Sequence, residues 1–93
     1  MSDTSAEIIR RLRNALHPET LRLDNESAAH AGHAGDDGSG ETHWKLHIVS
    51  AGFTDLNRVA RQRLVYKALG DLMDNPIHAL QIKALTPEEQ AAA

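Results

Sequence analysis

The sequence predicts a single small α+β domain. Three features indicate this class: a helical apolar pattern near the N-terminus, two alternating stretches after it, and a second helical pattern in the C-terminal half. Ninety-three residues suffice for one core and leave no room for a second domain. We therefore expect the order αββαβ, with the helices packed on one face of a small three-stranded sheet.

The first helix is predicted from about Ser5 to Leu16. Thr4 and Glu7 have the spacing of a capping box, and Pro18 follows the apolar pattern. The basic side of this helix, which we expect to be solvated, consists of Arg10, Arg11 and Arg13.

A β-hairpin is predicted after this helix. From Thr20 the pattern changes to a period of two, which is typical of a half-buried strand. A second strand, residues 42–50, places Trp44, Leu46 and Ile48 on one face. Residues 27–41 join the two strands and contain four of the six glycines, so we expect a flexible loop and antiparallel pairing.

The C-terminal half predicts one more helix and one more strand. Asn57 can cap a helix that extends to about Met73, and Asp74-Asn75-Pro76 would end it. Residues 77–85 read as the third strand. The tail, residues 87–93, is expected to be frayed, although Thr86-Pro87-Glu88-Glu89 could start a short terminal helix.

Composition excludes several classes of function. The chain has no cysteine, so it cannot supply a thiol nucleophile, a disulfide or an all-thiolate metal site by itself. No leader-like or membrane-spanning apolar run is present, so we expect a cytoplasmic protein. Ser50, His47 and Asp55 lack the sequence context of a hydrolase triad, so we do not expect an enzyme.

Six histidines are the strongest chemical signal in the sequence, because imidazole is a common metal ligand. His43 and His47 are too far apart along a strand, about 13 Å, to bind one ion together. His17 lies at the C-terminal end of the first helix, where a cationic side chain interacts favourably with the helix dipole. This explains His17 better than a role as a metal ligand does. His30 and His33 lie among small residues in the loop, where the alternative to ligation is an ordinary polar loop.

His78, near the start of the third strand, is either a histidine bonded to a backbone carbonyl or a third candidate ligand. If the loop folds over that strand, His30 or His33 could share one site with His78. Two imidazoles leave a zinc or iron-sulfur site incomplete, so the missing ligands would be external. Histidine ligation of a [2Fe-2S] cluster has a precedent in Rieske centres, and thiolates from a partner would complete such a site.

An ordered set of short motifs between Leu21 and Leu85 resembles the BolA family. The set comprises Asp24-Asn25-Glu26-Ser27, His30, Glu41-Thr42-His43-Trp44, Val49-Ser50, Phe53, Arg61-x-Arg63-Leu64-Val65-Tyr66 and His78-Ala79-Leu80. In one departure, the family often has Arg-His-Arg where this chain has Arg61-Gln62-Arg63. The resemblance implies a single BolA-like domain over residues 1–93, with an α+β fold related to the class II KH arrangement.

The resemblance also implies a function. BolA-like proteins pair with monothiol glutaredoxins around a [2Fe-2S] cluster that glutathione helps to hold, which implies roles in iron-sulfur trafficking or iron and redox regulation. By this comparison His30 matches the loop ligand of the histidine-bearing type, His78 matches the second ligand, and His33 is a nearby substitute. We expect a heterodimer with glutaredoxin and a monomeric free protein.

DNA binding is the alternative function. BolA-like proteins are also described as transcriptional regulators, and the second helix is basic. The candidate phosphate contacts are Arg58, Arg61, Arg63 and Lys67. A formal net charge of -3 favours the simpler interpretation of a solvated helix face.

Overall fold

Residues 3–26, 43–74, 77 and 79–92 are described by the computed structural model. Their elements follow the predicted order αββαβ and end with an additional short helix. The helices and strands are α1 (Asp3–Leu16), β1 (Thr20–Asn25), β2 (His43–Val49), α2 (Arg58–Leu69), β3 (Ala79–Leu85) and α3 (Pro87–Ala92). Two 3₁₀ turns, Ala51–Phe53 and Gly70–Met73, flank α2.

The three strands form one mixed sheet in the order β1-β2-β3. β1 and β2 are antiparallel from Thr20↔Val49 to Asn25↔Trp44, which confirms the predicted hairpin pairing. β3 is parallel to β2, from His43↔Ala79 to Val49↔Leu85. Parallel neighbours require a crossover connection, and α2 provides it. The predicted α+β class with a three-stranded sheet is therefore confirmed.

The core lies between one face of this sheet and the first two helices. Trp44, Leu46 and Ile48 are buried there, as the period-two pattern of β2 predicts. Helices α1 and α2 contribute Ile8, Leu12, Leu16, Val65 and Leu69, and Phe53 and Ile77 complete the buried cluster. Burying each of these large side chains stabilises the fold by about 1.5–3 kcal/mol. The opposite face of the sheet is polar.

Helix α1 differs from the prediction at its start and on its basic side. It begins at Asp3, so Thr4 lies inside the helix and is not its N-cap. The Glu7 carboxylate instead accepts hydrogen bonds from Arg10 and Arg11, and these bonds lower the pKa of Glu7 from 4.5 to about 2. Arg11 also donates to the Leu69 carbonyl at 2.6 Å, so it joins α1 to the end of α2.

Helix α2 begins as predicted and ends earlier. The Asn57 side chain accepts a hydrogen bond from the Ala60 N–H at 2.8 Å, which confirms the predicted cap. The α-helix ends at Leu69 because Gly70 has φ +54° and ψ -124°, outside the helical region. Residues Gly70–Met73 continue as a 3₁₀ turn, so the prediction of one regular helix to Met73 is wrong in its last turn.

The C-terminal residues Pro87–Ala92 form α3, which confirms the predicted short terminal helix and corrects the expectation of a frayed tail. A capping box begins this helix: the Thr86 N–H donates to Glu89 Oε1 at 2.8 Å, and the Glu89 N–H donates to Thr86 Oγ1 at 3.2 Å. Arg61 of α2 donates to the same Glu89 carboxylate at 2.6 Å. Local capping and a long-range ion pair together hold this short helix in place.

Candidate functional site

The three histidines predicted to be cluster ligands, His30, His33 and His78, lie outside the described residues. Within the described ranges, no group of three or more His, Asp or Glu side chains is arranged to hold a metal ion. The described residues that flank these histidines in the chain show where the two segments join the fold.

Those flanking residues meet at one end of the sheet. Glu26, the last described residue before the loop, donates its N–H to the carbonyl of His43, the first described residue after it, at 2.8 Å. Ala79, which follows His78 in sequence, pairs with the same His43 across the parallel β2–β3 ladder. The residue before the loop, Glu26, and the residue after His78, Ala79, are thus both neighbours of His43.

Ile77 fixes the chain on the other side of His78. Its side chain is buried in the core, with 2% exposed, and its N–H donates to the Leu72 carbonyl at 3.1 Å. Because Ala79 is held in the sheet and Ile77 in the core, the two residues bonded to His78 both have defined anchors.

The remaining histidines occupy separate positions. His17 is exposed beyond the end of α1, at φ +45°, and its N–H donates to the Arg13 carbonyl at 3.1 Å. His43 and His47 lie on the polar face of β2, two ladder positions apart on that face. The His47 ring shares a 3.2 Å hydrogen bond with Gln90 of α3. In the described part of the chain, these three histidines form no common site.

The basic residues of α2 have two different environments. Arg58, Arg63 and Lys67 are exposed, as a phosphate-contacting surface requires. Arg61 is largely buried, with 13% of its side chain exposed. It donates hydrogen bonds to the carbonyls of Leu56 and Ala84 and to the carboxylate of Glu89. The Arg61 hydrogen bonds, followed by that from the Thr86 N–H, lower the pKa of Glu89 from 4.5 to about 2.

Ser50 has a structural environment. It is buried, its hydroxyl donates to the Leu16 carbonyl at 2.6 Å, and it accepts the Gly52 N–H at 3.1 Å. The first contact holds the end of α1 against the end of β2, and the second caps the turn that follows β2. Sequence inspection does not reveal these roles of Ser50 and Arg61, because their partners on other elements lie 23–34 residues away.

The sequence matches the family described as BolA-like protein over residues 12–89. BolA-like protein 1 of Mus musculus is 43% identical over 84 residues, which are 90% of this chain and 58% of the mouse protein. The chain thus spans less than two thirds of that relative. BolA1 from Arabidopsis thaliana has a TM-score of 0.84 at 40% identity, and the match covers 96% of this chain and 97% of that structure.

A domain of a larger protein is also similar. The BolA domain of SufE1 from Arabidopsis thaliana has a TM-score of 0.86 at 38% identity, over 96% of this chain and 98% of that domain. These solved structures share the small α+β fold described above. No helix in the described ranges is long and apolar enough to span a membrane.

Proposed function

This chain belongs to the BolA-like protein family, and from that premise we propose that it supplies histidine ligands to a [2Fe-2S] cluster shared with a monothiol glutaredoxin. The observation that carries the proposal is the meeting of Glu26, His43 and Ala79 at one end of the sheet. These residues are the anchors of the segments that contain His30, His33 and His78.

The chemistry of the available donors supports a shared cluster rather than a complete site. The chain offers imidazoles and no thiolates, whereas a [2Fe-2S] cluster needs four ligands. Two histidines on one iron and two thiolates on the other satisfy that number, with thiolates from glutaredoxin and glutathione. Bound in this way, the cluster would supply one-electron redox chemistry or would be passed to an acceptor.

Reconstitution tests the proposal. The protein is mixed with a monothiol glutaredoxin, glutathione, iron and sulfide, and the product is analysed by size-exclusion chromatography and visible circular dichroism. We expect a coloured heterodimer whose spectrum changes in His78→Ala and in one or both of His30→Ala and His33→Ala. His47→Ala is the matched control, since His47 contacts Gln90 away from the anchor residues. An unchanged spectrum in His78→Ala would contradict the ligand assignment.

A further inference from the structure

Strand β3 has a free outer edge among the described residues. It pairs with β2 on one side only. The Leu85 carbonyl accepts the Ser50 N–H on the β2 side, whereas the Ala84 carbonyl accepts a 3.0 Å hydrogen bond from Arg61 on the other side. Backbone groups alternate in direction along a strand, so the N–H and C=O groups of Leu80, Ile82 and Ala84 all point outward.

Most of these outward groups have no partner in the described part of the chain. Arg61 satisfies the Ala84 carbonyl, and no hydrogen bond joins Leu80 or Ile82 to another described residue on this side. Such a row of alternating donors and acceptors is a template for an added strand. A peptide backbone matches it because a peptide also offers both donors and acceptors.

A groove begins at this edge, between β3 and the first half of α2. It extends over the sheet to Lys45 and His47 of β2 and to Arg22 and Asp24 of β1. It consists of two adjoining depressions of about 600 and 520 Å³, and both are lined by Arg58, Gln62, Ile82 and Lys83. Leu80 lines the first, and the side chains of Leu80 and Ile82 are half-buried. The groove therefore combines a partly apolar strip with the open backbone edge.

The positive charge of the groove favours the binding of an acidic ligand. Two of its cations are paired, Arg22 with Asp24 at 3.3 Å and Arg61 with Glu89 at 2.6 Å. Three more have no ion pair with another described residue: Lys45, Arg58 and Lys83. A local excess of positive charge in a chain of net charge -3 attracts carboxylates by electrostatic complementarity.

We propose that an extended acidic peptide segment of a partner protein binds in this groove as a fourth strand beside β3. Single-stranded nucleic acid is the rival occupant, but it binds largely by stacking bases on aromatic side chains. The described residues that line the groove include no Phe, Tyr or Trp, and their one aromatic ring, the His47 imidazole, is hydrogen-bonded to Gln90. The proposal is independent of the cluster because it uses none of the histidine ligands, although its edge begins at Leu80, next to the anchor residue Ala79.

The test follows backbone amides of the whole nitrogen-15-labelled protein by NMR. The probe is a peptide of about ten residues in which Glu and Val alternate, the pattern of an edge-binding strand. We expect the amide signals of Leu80, Ile82 and Ala84 to shift in a saturable manner. Methylating alternate backbone nitrogens of the probe should weaken binding about tenfold, which corresponds to roughly 1.4 kcal/mol of lost hydrogen bonding.

Matched charge variants test the electrostatic part. Lys83→Glu should weaken binding about fivefold, whereas Arg13→Glu, the same charge change on an exposed residue of α1, should leave it within about twofold. Absence of shifts at Leu80, Ile82 and Ala84 up to about 1 mM peptide, a weak-binding limit, would overturn the proposal. Equal binding of the methylated probe, or tighter binding of oligothymidylate with the same shifts, would also overturn it.

Discussion

Single buried polar residues have large structural roles in this small domain. Ser50 has 1% of its surface exposed, and its hydroxyl joins the Leu16 carbonyl at the end of α1 to the turn after β2. Every buried side-chain polar atom in the described residues has a hydrogen-bond partner. Removing one partner therefore leaves the other group buried without a hydrogen bond, which is costly.

The variant Ser50→Ala tests this role. We expect it to lower the free energy of unfolding by about 1–3 kcal/mol, because the Leu16 carbonyl and the Gly52 N–H lose their partner. Urea denaturation monitored by circular dichroism measures the change. Thr54→Ala is the control at an exposed position and should cost within about 0.5 kcal/mol. Equal losses in the two variants would show that the Ser50 hydroxyl is not important.

At the scale of elements, Arg61 joins three parts of the fold. Its side chain extends from α2, donates a hydrogen bond to the Ala84 carbonyl of β3 and forms an ion pair with Glu89 of α3. Isolated helices as short as the six residues of α3 are not stable in water. The helix therefore depends on this ion pair and on its capping box, and both use the Glu89 carboxylate.

The attachment of α3 should depend on pH. The pKa of Glu89 is lowered from 4.5 in the unfolded chain to about 2 in the folded chain, so its contribution is present above about pH 4.5. That contribution is lost as the pH falls from about 4.5 through about 2, when the carboxylate is protonated. Because the Glu89 side chain is 45% exposed, solvent screening reduces the effect.

Glu89→Gln tests this dependence. Between about pH 6 and pH 2.5 we expect its free energy of unfolding to fall less than that of the parent protein, as urea denaturation would measure. Glu88→Gln is the matched control, since Glu88 is exposed in the same helix and has no ion pair with a described residue. The interpretation fails if both variants retain the full acid sensitivity of the parent.

Local sequence patterns predict the helices and strands well. They do not predict contacts between residues that are far apart in the sequence. The alternation of apolar and polar residues in β2 identifies Trp44, Leu46 and Ile48 as core residues. The side-chain oxygen of Asn57, just before the helical pattern, identifies the cap of α2. The pattern does not show that β3 is parallel to β2. Nor does it show that Arg11 and Arg61 have partners on distant elements, because no periodicity links residues so far apart in sequence.

The candidate site stays a prediction at the level of its residues. Histidine type and spacing select His30, His33 and His78 from six histidines, but spacing alone does not bring two distant segments together. The structure adds that the segments holding them are anchored at Glu26, His43 and Ala79, which are neighbours through strand pairing. The positions of the three histidines themselves lie outside the described residues.

At the scale of the whole molecule, charge distribution bears on the DNA-binding alternative. The net charge is -3, and Arg61 is held inside the fold, which leaves three exposed cations on α2: Arg58, Arg63 and Lys67. Three cations neutralise at most three phosphates. Duplex DNA that binds through α2 alone should therefore bind weakly and should depend only modestly on salt.

Titration of a labelled duplex at several salt concentrations measures this. We expect the logarithm of the binding constant to fall with the logarithm of salt concentration at a slope no steeper than about -3, and Lys67→Glu should make the slope shallower. The same titration with Thr54→Ala provides the neutral control. A slope near -6, or binding insensitive to Lys67→Glu, would show that α2 is not the DNA-contacting surface.

Pulsed electron paramagnetic resonance detects whether histidine nitrogens of this chain bind iron in the proposed shared cluster. The protein is labelled with nitrogen-15 histidine, combined with unlabelled monothiol glutaredoxin and glutathione, reconstituted with iron and sulfide, and reduced. We predict strong nitrogen-15 couplings typical of imidazole bound to iron, which His78→Ala diminishes and His47→Ala leaves intact. A reduced cluster that lacks such couplings in the unsubstituted protein would show that no histidine of this chain binds its iron.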